Sequence, residues 1–247
     1  MQIFLDTAKI DEIREAVEMG LISGVTTNPS LMMKAGRSDY MDAVREICYL
    51  VQGHISAEVV STDAQGMLAE AREIATWSPY VAVKIPSTPT GLRAIKQISE
   101  EDVDLERLCQ GCPWLGQCYT PIDEARELAE VWGIRVNATL IFSANQALFA
   151  ATAGASYASP FVGRLDDIGQ DGMQVVADVV GIFETYGIAT EVIAASIRHP
   201  LHITQAALAG ADIATVPYDV LMKALKHPLT DKGVDQFLAD WNRVSNS

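Results

Sequence analysis

The chain has 247 residues, 49% hydrophobic and 20% charged, the balance of an ordinary soluble globular domain. Its formal net charge of −14 disfavours nucleic acid and anionic membrane as partners, and repels anionic substrates unless a site supplies local cations. No apolar run approaches the roughly 18 residues of a membrane span. Met1–Asp6 lacks the basic and apolar stretches of a signal peptide, so a cytoplasmic location is expected.

Short β-rich runs recur along the chain at Ile3–Leu5, Gly24–Thr26, Ile55–Val60, Tyr80–Ile85, Ile134–Leu140, Tyr157–Val162, Glu191–Ala195 and Ile213–Val216. Helical patterns separate them, which predicts an α/β protein with a parallel sheet; the count favours a single-domain (β/α)8 TIM barrel. Ser38 opens a helix with an apolar stripe of Met41, Val44, Ile47, Cys48 and Val51, which makes Cys48 a core residue. Thr62–Gln65 and Ser143–Gln146 read as capping boxes, and Thr88-Pro89 as an N-cap before a first-position proline, followed by Leu92, Ile95 and Ile98. Asp166–Gly172 lacks the ligand spacing of a calcium loop and reads as a helix entry.

One segment, about residues 101–132, is longer than a loop and helix end require, and reads as an insertion before the fifth strand. It holds Cys109, Cys112 and Cys118, then a Thr120-Pro121 helix start with Ile122, Ala125, Leu128 and Val131 in phase. Three readings of these cysteines stand open: ligation of zinc or an iron–sulfur cluster, a reversible Cys109–Cys112 disulfide, or plain thiols packing a loop with Trp114. The segment precedes a strand, so it starts on the face opposite the strand C-termini. A last helix is expected over about 230–244, with Val234, Phe237, Leu238 and Trp241 in phase.

Charges inside barrel strands are costly unless paired or used. Lys84 lies within Val81–Pro86; it is either a snorkelling or salt-bridged lysine, or an amine that burial moves toward neutrality for attack on a carbonyl. Asp6 ends the first strand and Glu58 interrupts the third, near the C-terminal ends where barrel active sites form. Asn137 and Thr139 share one face of the fifth strand, and Ser159 and Phe161 one face of the sixth. Thr26 and Asn28 follow the second strand, and these polar groups together suit a hydroxyl-rich substrate. Arg164, Ser196 and Arg198 follow the sixth and seventh strands as phosphate candidates. An ion pair with Asp166 or Asp167 is the structural alternative for Arg164, and a solvated loop cation for Arg198. His54, His199, His202 and His227 show no metal spacing and are assigned to structure.

Asp6-Thr7, Gly24–Ser30, Val83–Pro86, Asn137–Leu140, Ser159–Asp167 and Ala194–Pro200 together resemble the small transaldolases, a group with transaldolase and fructose-6-phosphate aldolase branches. The resemblance runs from Met1 to about Arg243, apart from roughly 101–132. It implies that Lys84 forms a Schiff base with a ketose, that Asp6 exchanges a proton with the C4 hydroxyl, and that Glu58, Thr139 and a water relay protons. It further implies that Asn28, Asn137 and Ser159 hold a dihydroxyacetone unit, while Arg164, Ser196 and Arg198 bind phosphate. No cofactor is implied, and phosphorylated sugars of the pentose phosphate pathway are the expected partners. The aldolase branch carries glutamine in place of Glu58 and tyrosine in place of Phe161, so the resemblance is to the transaldolase type. A ring-shaped homo-oligomer, a decamer of two pentamers with the C-terminal helix packed on a neighbour, is also implied. Two alternatives stand beside this reading: an aldolase that releases dihydroxyacetone, and a non-catalytic phosphosugar-binding or redox-sensing scaffold.

Overall fold

A computed structural model describes residues 1–114 and 122–245. Eight parallel strands close in chain order into a barrel: β1 (Gln2–Asp6), β2 (Gly24–Thr26), β3 (His54–Glu58), β4 (Val81–Pro86), β5 (Arg135–Ile141), β6 (Tyr157–Pro160), β7 (Glu191–Ala194) and β8 (Ile213–Val216). The strands lie within a residue or two of the sequence runs, because both of their faces are covered and most of their residues are apolar.

Helices fill the connections. The first five are α1 (Ile10–Glu18), α2 (Pro29–Lys34), α3 (Tyr40–Val51), α4 (Ala64–Ala75) and α5 (Pro89–Ile98). They are followed by α6 (Ile122–Trp132), α7 (Ala144–Thr152), α8 (Val162–Asp166), α9 (Gly172–Tyr186), α10 (Pro200–Leu208), α11 (Tyr218–Ala224) and α12 (Pro228–Ser245). Thr88 caps α5 by accepting from the Gly91 amide at 3.0 Å, and Ser143 caps α7. Gln146 closes that second turn onto the Phe142 amide at 2.9 Å. Asp171 caps α9, and Asp166 accepts from the Gly172 amide, so the Gly-Asp stretch is indeed a helix entry.

Several expectations need correction. Asp63, not Thr62, caps α4, its carboxylate accepting from the Gly66 amide at 2.9 Å. Helix α3 starts after Asp39 rather than Ser38, and Met41 turns outward while Ala43 and Arg45 are buried in its place. In α6, Ala125 and Ala129 form the buried side, whereas Val131 is exposed. The Thr120-Pro121 start and Cys118 lie outside the described residues.

Cys48 is buried among apolar side chains, and burial pushes its thiol up to about 12. Cys109 and Cys112 lie near enough to raise it further, so this core residue adjoins the later cysteines. Among the described residues no three His, Cys, Asp or Glu side chains are grouped to hold a metal. The turns after α5 are tied down by Arg45 donating to the Gln110 carbonyl at 2.9 Å and by the Cys109 amide donating to Thr76 O at 2.8 Å. No helix among the described residues is long and apolar enough to cross a membrane.

Register carries the geometry that matters. Glu58 pairs with Lys84, and Lys84 with Asn137, so three polar side chains on neighbouring strands point to the same side, the barrel interior. The β5–β6 pairing shifts between Ala138 and Ile141, where Leu140 adopts a left-handed φ of 55°. Helix α5 approaches the end of β4 so closely that a Cβ on Gly91 would stand 1.9 Å from Pro86 O. Gly91→Ala is therefore expected to cost about 1–3 kcal/mol, read as a lower denaturant midpoint at unchanged slope. An unchanged midpoint would contradict this packing.

Candidate active site

A cavity of about 470 Å³ opens at the C-terminal ends of the strands, the face where barrel active sites form. Asp6, Thr26, Asn28, Glu58, Lys84, Ser159, Phe161, Arg164, Ser196 and Arg198 all line it. Two expected residues do not. Asn137 and Thr139 are fully buried behind the lining, Asn137 in hydrogen bonds and Thr139 with its Oγ1 buried and unpartnered.

Lys84 is 5% exposed, and its Nζ lies 3.1 Å from Glu58 Oε2. Lys84 is thus salt-bridged, as one of the two readings has it, and its side chain also borders the cavity. Glu58 is clamped through its backbone by Tyr40, whose phenol accepts from the Glu58 amide at 2.6 Å and donates to its carbonyl at 3.3 Å. Asp6 accepts from Thr26 Oγ1 at 2.9 Å, and Thr26 lies 2.5 Å from Thr215 Oγ1. Because Thr26 has one proton to give, Thr215 donates to it in turn, and the chain ends on the carboxylate. Burial pushes the Asp6 carboxyl above its ordinary 3.8, against the pull of Lys84, the Thr26 bond and Lys34.

On the β6 and β7 side, the Arg164 guanidinium lies 5.0 Å over the Phe161 ring. Asp167, one of the two carboxylates offered as a structural alternative partner for Arg164, pairs with Arg198 at 2.9 Å, in an exposed bridge. Arg198 is therefore neither a lone solvated cation nor buried. The loop that carries it is anchored by His202, which accepts from the Arg198 amide at Nδ1 (3.3 Å) and faces Asp166 through Nε2 (3.1 Å). Ser196 adopts a left-handed φ of 59° and lies against Gly163, where a Cβ would come within 2.6 Å of Arg198 Nε.

Sequence reading missed Lys34, at the end of α2, and Thr215, on β8; both line the cavity. Thr215 alternates with apolar neighbours in Ile213–Val216, the same period-two signal that marked Asn137. Lys34 gave only a weak signal, a cation closing a short helix on the active-site face. With it the lining holds four cations (Lys34, Lys84, Arg164, Arg198) against two carboxylates, Asp6 and Glu58. The site is thus locally cationic within an acidic protein.

The family model for transaldolase/fructose-6-phosphate aldolase matches residues 3–247. The chain belongs to that family. A probable transaldolase of Heliobacterium modesticaldum is 54% identical over 246 residues, covering 100% of both chains. One of Moorella thermoacetica is 52% identical over 246 residues, again covering 100% of both. Orotidine 5'-monophosphate decarboxylase from Metallosphaera sedula shares the fold at TM-score 0.53 and 12% identity, covering 87% of each chain.

The raised carboxyl of Asp6 makes a thermodynamic prediction for this family member. The folded state holds that proton where an unfolded aspartate has lost it, so the stabilisation is complete below 3.8 and lost as pH rises through the folded value. The contribution of this group to stability therefore declines as pH rises above 3.8. Asp6→Asn, which still offers Thr26 an acceptor, is expected to match or exceed the parent's melting temperature at neutral pH, with the difference closing toward acid pH. A lower melting temperature at neutral pH would refute it.

Proposed function

We propose that the chain is a class I transaldolase that carries a dihydroxyacetone unit from a ketose phosphate to an aldose phosphate through a Schiff base on Lys84. Fructose 6-phosphate or sedoheptulose 7-phosphate serves as donor, and glyceraldehyde 3-phosphate or erythrose 4-phosphate as acceptor, which sets the reaction in the pentose phosphate pathway. The observation that carries this reading is the Lys84 amine, buried yet bordering a cavity, 3.1 Å from Glu58 and sharing the cavity with Asp6 and two arginines.

Glu58 takes the ammonium proton, and the freed amine adds to the C2 carbonyl of the donor. With a water beside the orphaned Thr139 hydroxyl, Glu58 returns a proton as the carbinolamine loses water. Asp6 accepts the C4 hydroxyl proton while the C3–C4 bond breaks, and the iminium receives the electron pair. No metal or diffusible cofactor is needed, because the iminium is the electron sink. The enamine then adds to the acceptor aldehyde, Asp6 returns its proton, and hydrolysis frees Lys84. Asn28 and Ser159 hold the three-carbon unit, with Asn137 braced behind Ser159, and Arg164, Ser196 and Arg198 hold the phosphate.

Two residues favour transfer over release of dihydroxyacetone. Glu58 supplies a carboxylate for proton relay at the water site. Phe161 places a phenyl ring on the cavity wall, with no phenol to protonate the bound carbanion. The exposed apolar side of α12, where Val234, Phe237, Leu238 and Trp241 all face solvent, supports packing against another copy in a homo-oligomer.

Borohydride reduction in the presence of fructose 6-phosphate, followed by mass spectrometry, is expected to leave a stable adduct on Lys84, and none in Lys84→Met. An active Lys84→Met variant, or an adduct elsewhere, would end this reading. Product analysis with and without erythrose 4-phosphate separates transfer from aldol cleavage; free dihydroxyacetone as the main product in both would favour the aldolase. Arg164→Ala and Arg198→Ala should each raise KM for a phosphorylated donor by about tenfold to a hundredfold, the value of a charge-assisted hydrogen bond, and leave unphosphorylated fructose unaffected.

A further inference from the structure

Beneath the cavity, a line of hydrogen bonds runs down the barrel interior toward the N-terminal ends of the strands. Ser159, which lines the cavity, donates from Oγ to Asn137 Oδ1 at 2.7 Å. Asn137 donates from Nδ2 to Ser56 Oγ at 2.8 Å. Ser56 Oγ lies 2.7 Å from His54 Nε2. Ser56 and Asn137 are wholly buried, Ser159 and His54 nearly so. His54 packs edge-on against Tyr157 at 4.3 Å and beside Phe4 at 5.0 Å, so it stands on the barrel floor with its ring fixed.

We infer that Ser56, seated on His54, is a positioning residue that fixes the amide of Asn137 and thereby makes Ser159 a hydrogen-bond acceptor toward the substrate. The argument is one of proton count. A serine hydroxyl has one proton. If Ser56 gives it to His54 Nε2, Ser56 can only accept from Asn137, which turns the amide so that its oxygen faces Ser159. Ser159 then spends its own proton on that oxygen and presents lone pairs to the cavity. Burial, reinforced by Arg135, holds the His54 imidazole well below its ordinary 6.5, which keeps the ring neutral; Nε2 is the acceptor in the tautomer that carries its proton on Nδ1, the ring nitrogen with no partner among the described residues. Were Ser56 lost, the amide would be free to turn and Ser159 could offer a donor instead. The ligand group that a directed acceptor recognises is a hydroxyl of the bound three-carbon unit. The inference deepens the transaldolase reading and rests on it.

The test compares fructose 6-phosphate with 1-deoxyfructose 6-phosphate, which lacks the hydroxyl at the unreacting end of the three-carbon unit. Borohydride trapping on Lys84 in the parent comes first; its failure sinks the transaldolase reading, and this one with it. With trapping established, Ser56→Ala should still form the adduct. Its preference for the hydroxylated donor, as a ratio of kcat/KM values, should drop about tenfold, mainly through KM. His54→Phe keeps an aromatic ring against Tyr157 but removes Nε2; it should lower the same ratio, and adding it to Ser56→Ala should lower the ratio no further. An equal loss on both donors, an unchanged ratio, or additive losses in the double variant would each overturn the inference. If Ser56→Ala does not fold, Ser56→Cys, close in shape and weaker as donor and acceptor, is read by the same ratio.

Discussion

The buried pair of Lys84 and Glu58 is the constraint around which the interior is arranged. Taking two charges out of water costs several kcal/mol for each ion, and their attraction repays this only with good geometry. The barrel supplies that geometry through its backbone. Residues 58 and 84 are register partners on adjacent parallel strands, so their side chains leave the sheet side by side. Tyr40 holds the Glu58 backbone from behind, and Asp6 stands near enough to act on the same charge. A pair so placed is poorly explained as a stabilising device, since apolar side chains of similar size would serve the fold at least as well. In the reaction proposed above, the pair passes a proton between an amine and a carboxylate.

The acidity of the protein gives this arrangement a second meaning. A net charge of −14 repels phosphorylated molecules at long range, yet four cations gather around one cavity. Beyond a Debye length of about 8 Å at physiological salt the surface charge is largely screened, so local cations govern the last steps of approach. The mouth of the barrel is thus locally cationic although the protein as a whole is acidic.

How much of this was legible in the sequence depended on the reach of the forces involved. The strands could be read because each is covered on both faces and shows as an apolar run; Lys84, Glu58 and Asp6 stood out as charges that broke such runs. Helix caps were legible to within a residue, as with Asp63 in place of Thr62, because a single side chain's reach decides them. Pairings across the fold were not legible. Nothing local tells that Asp167 turns to Arg198 rather than Arg164, since both arginines are near in space and only the path of the 196–199 loop decides. Nor does sequence place Cys48 beside Cys109 and Cys112, because that proximity depends on how the turns after α5 fold back onto α3. The period-two rule marked Asn137 and Thr139 as inward-facing, which they are, yet it cannot say how deep a side chain sits. Both lie one layer behind the cavity wall.

Gly163 has a bearing on how this enzyme family can be reshaped. Its bare α-carbon lets the segment after β6 lie flush against Ser196 and the stem of Arg198, so the two arginine-bearing segments share a single seam. Any side chain there would pry the seam open and displace both anchors together. If the two arginines hold phosphate as proposed, a side chain at 163 weakens both contacts in one step, whereas a change at either arginine weakens one.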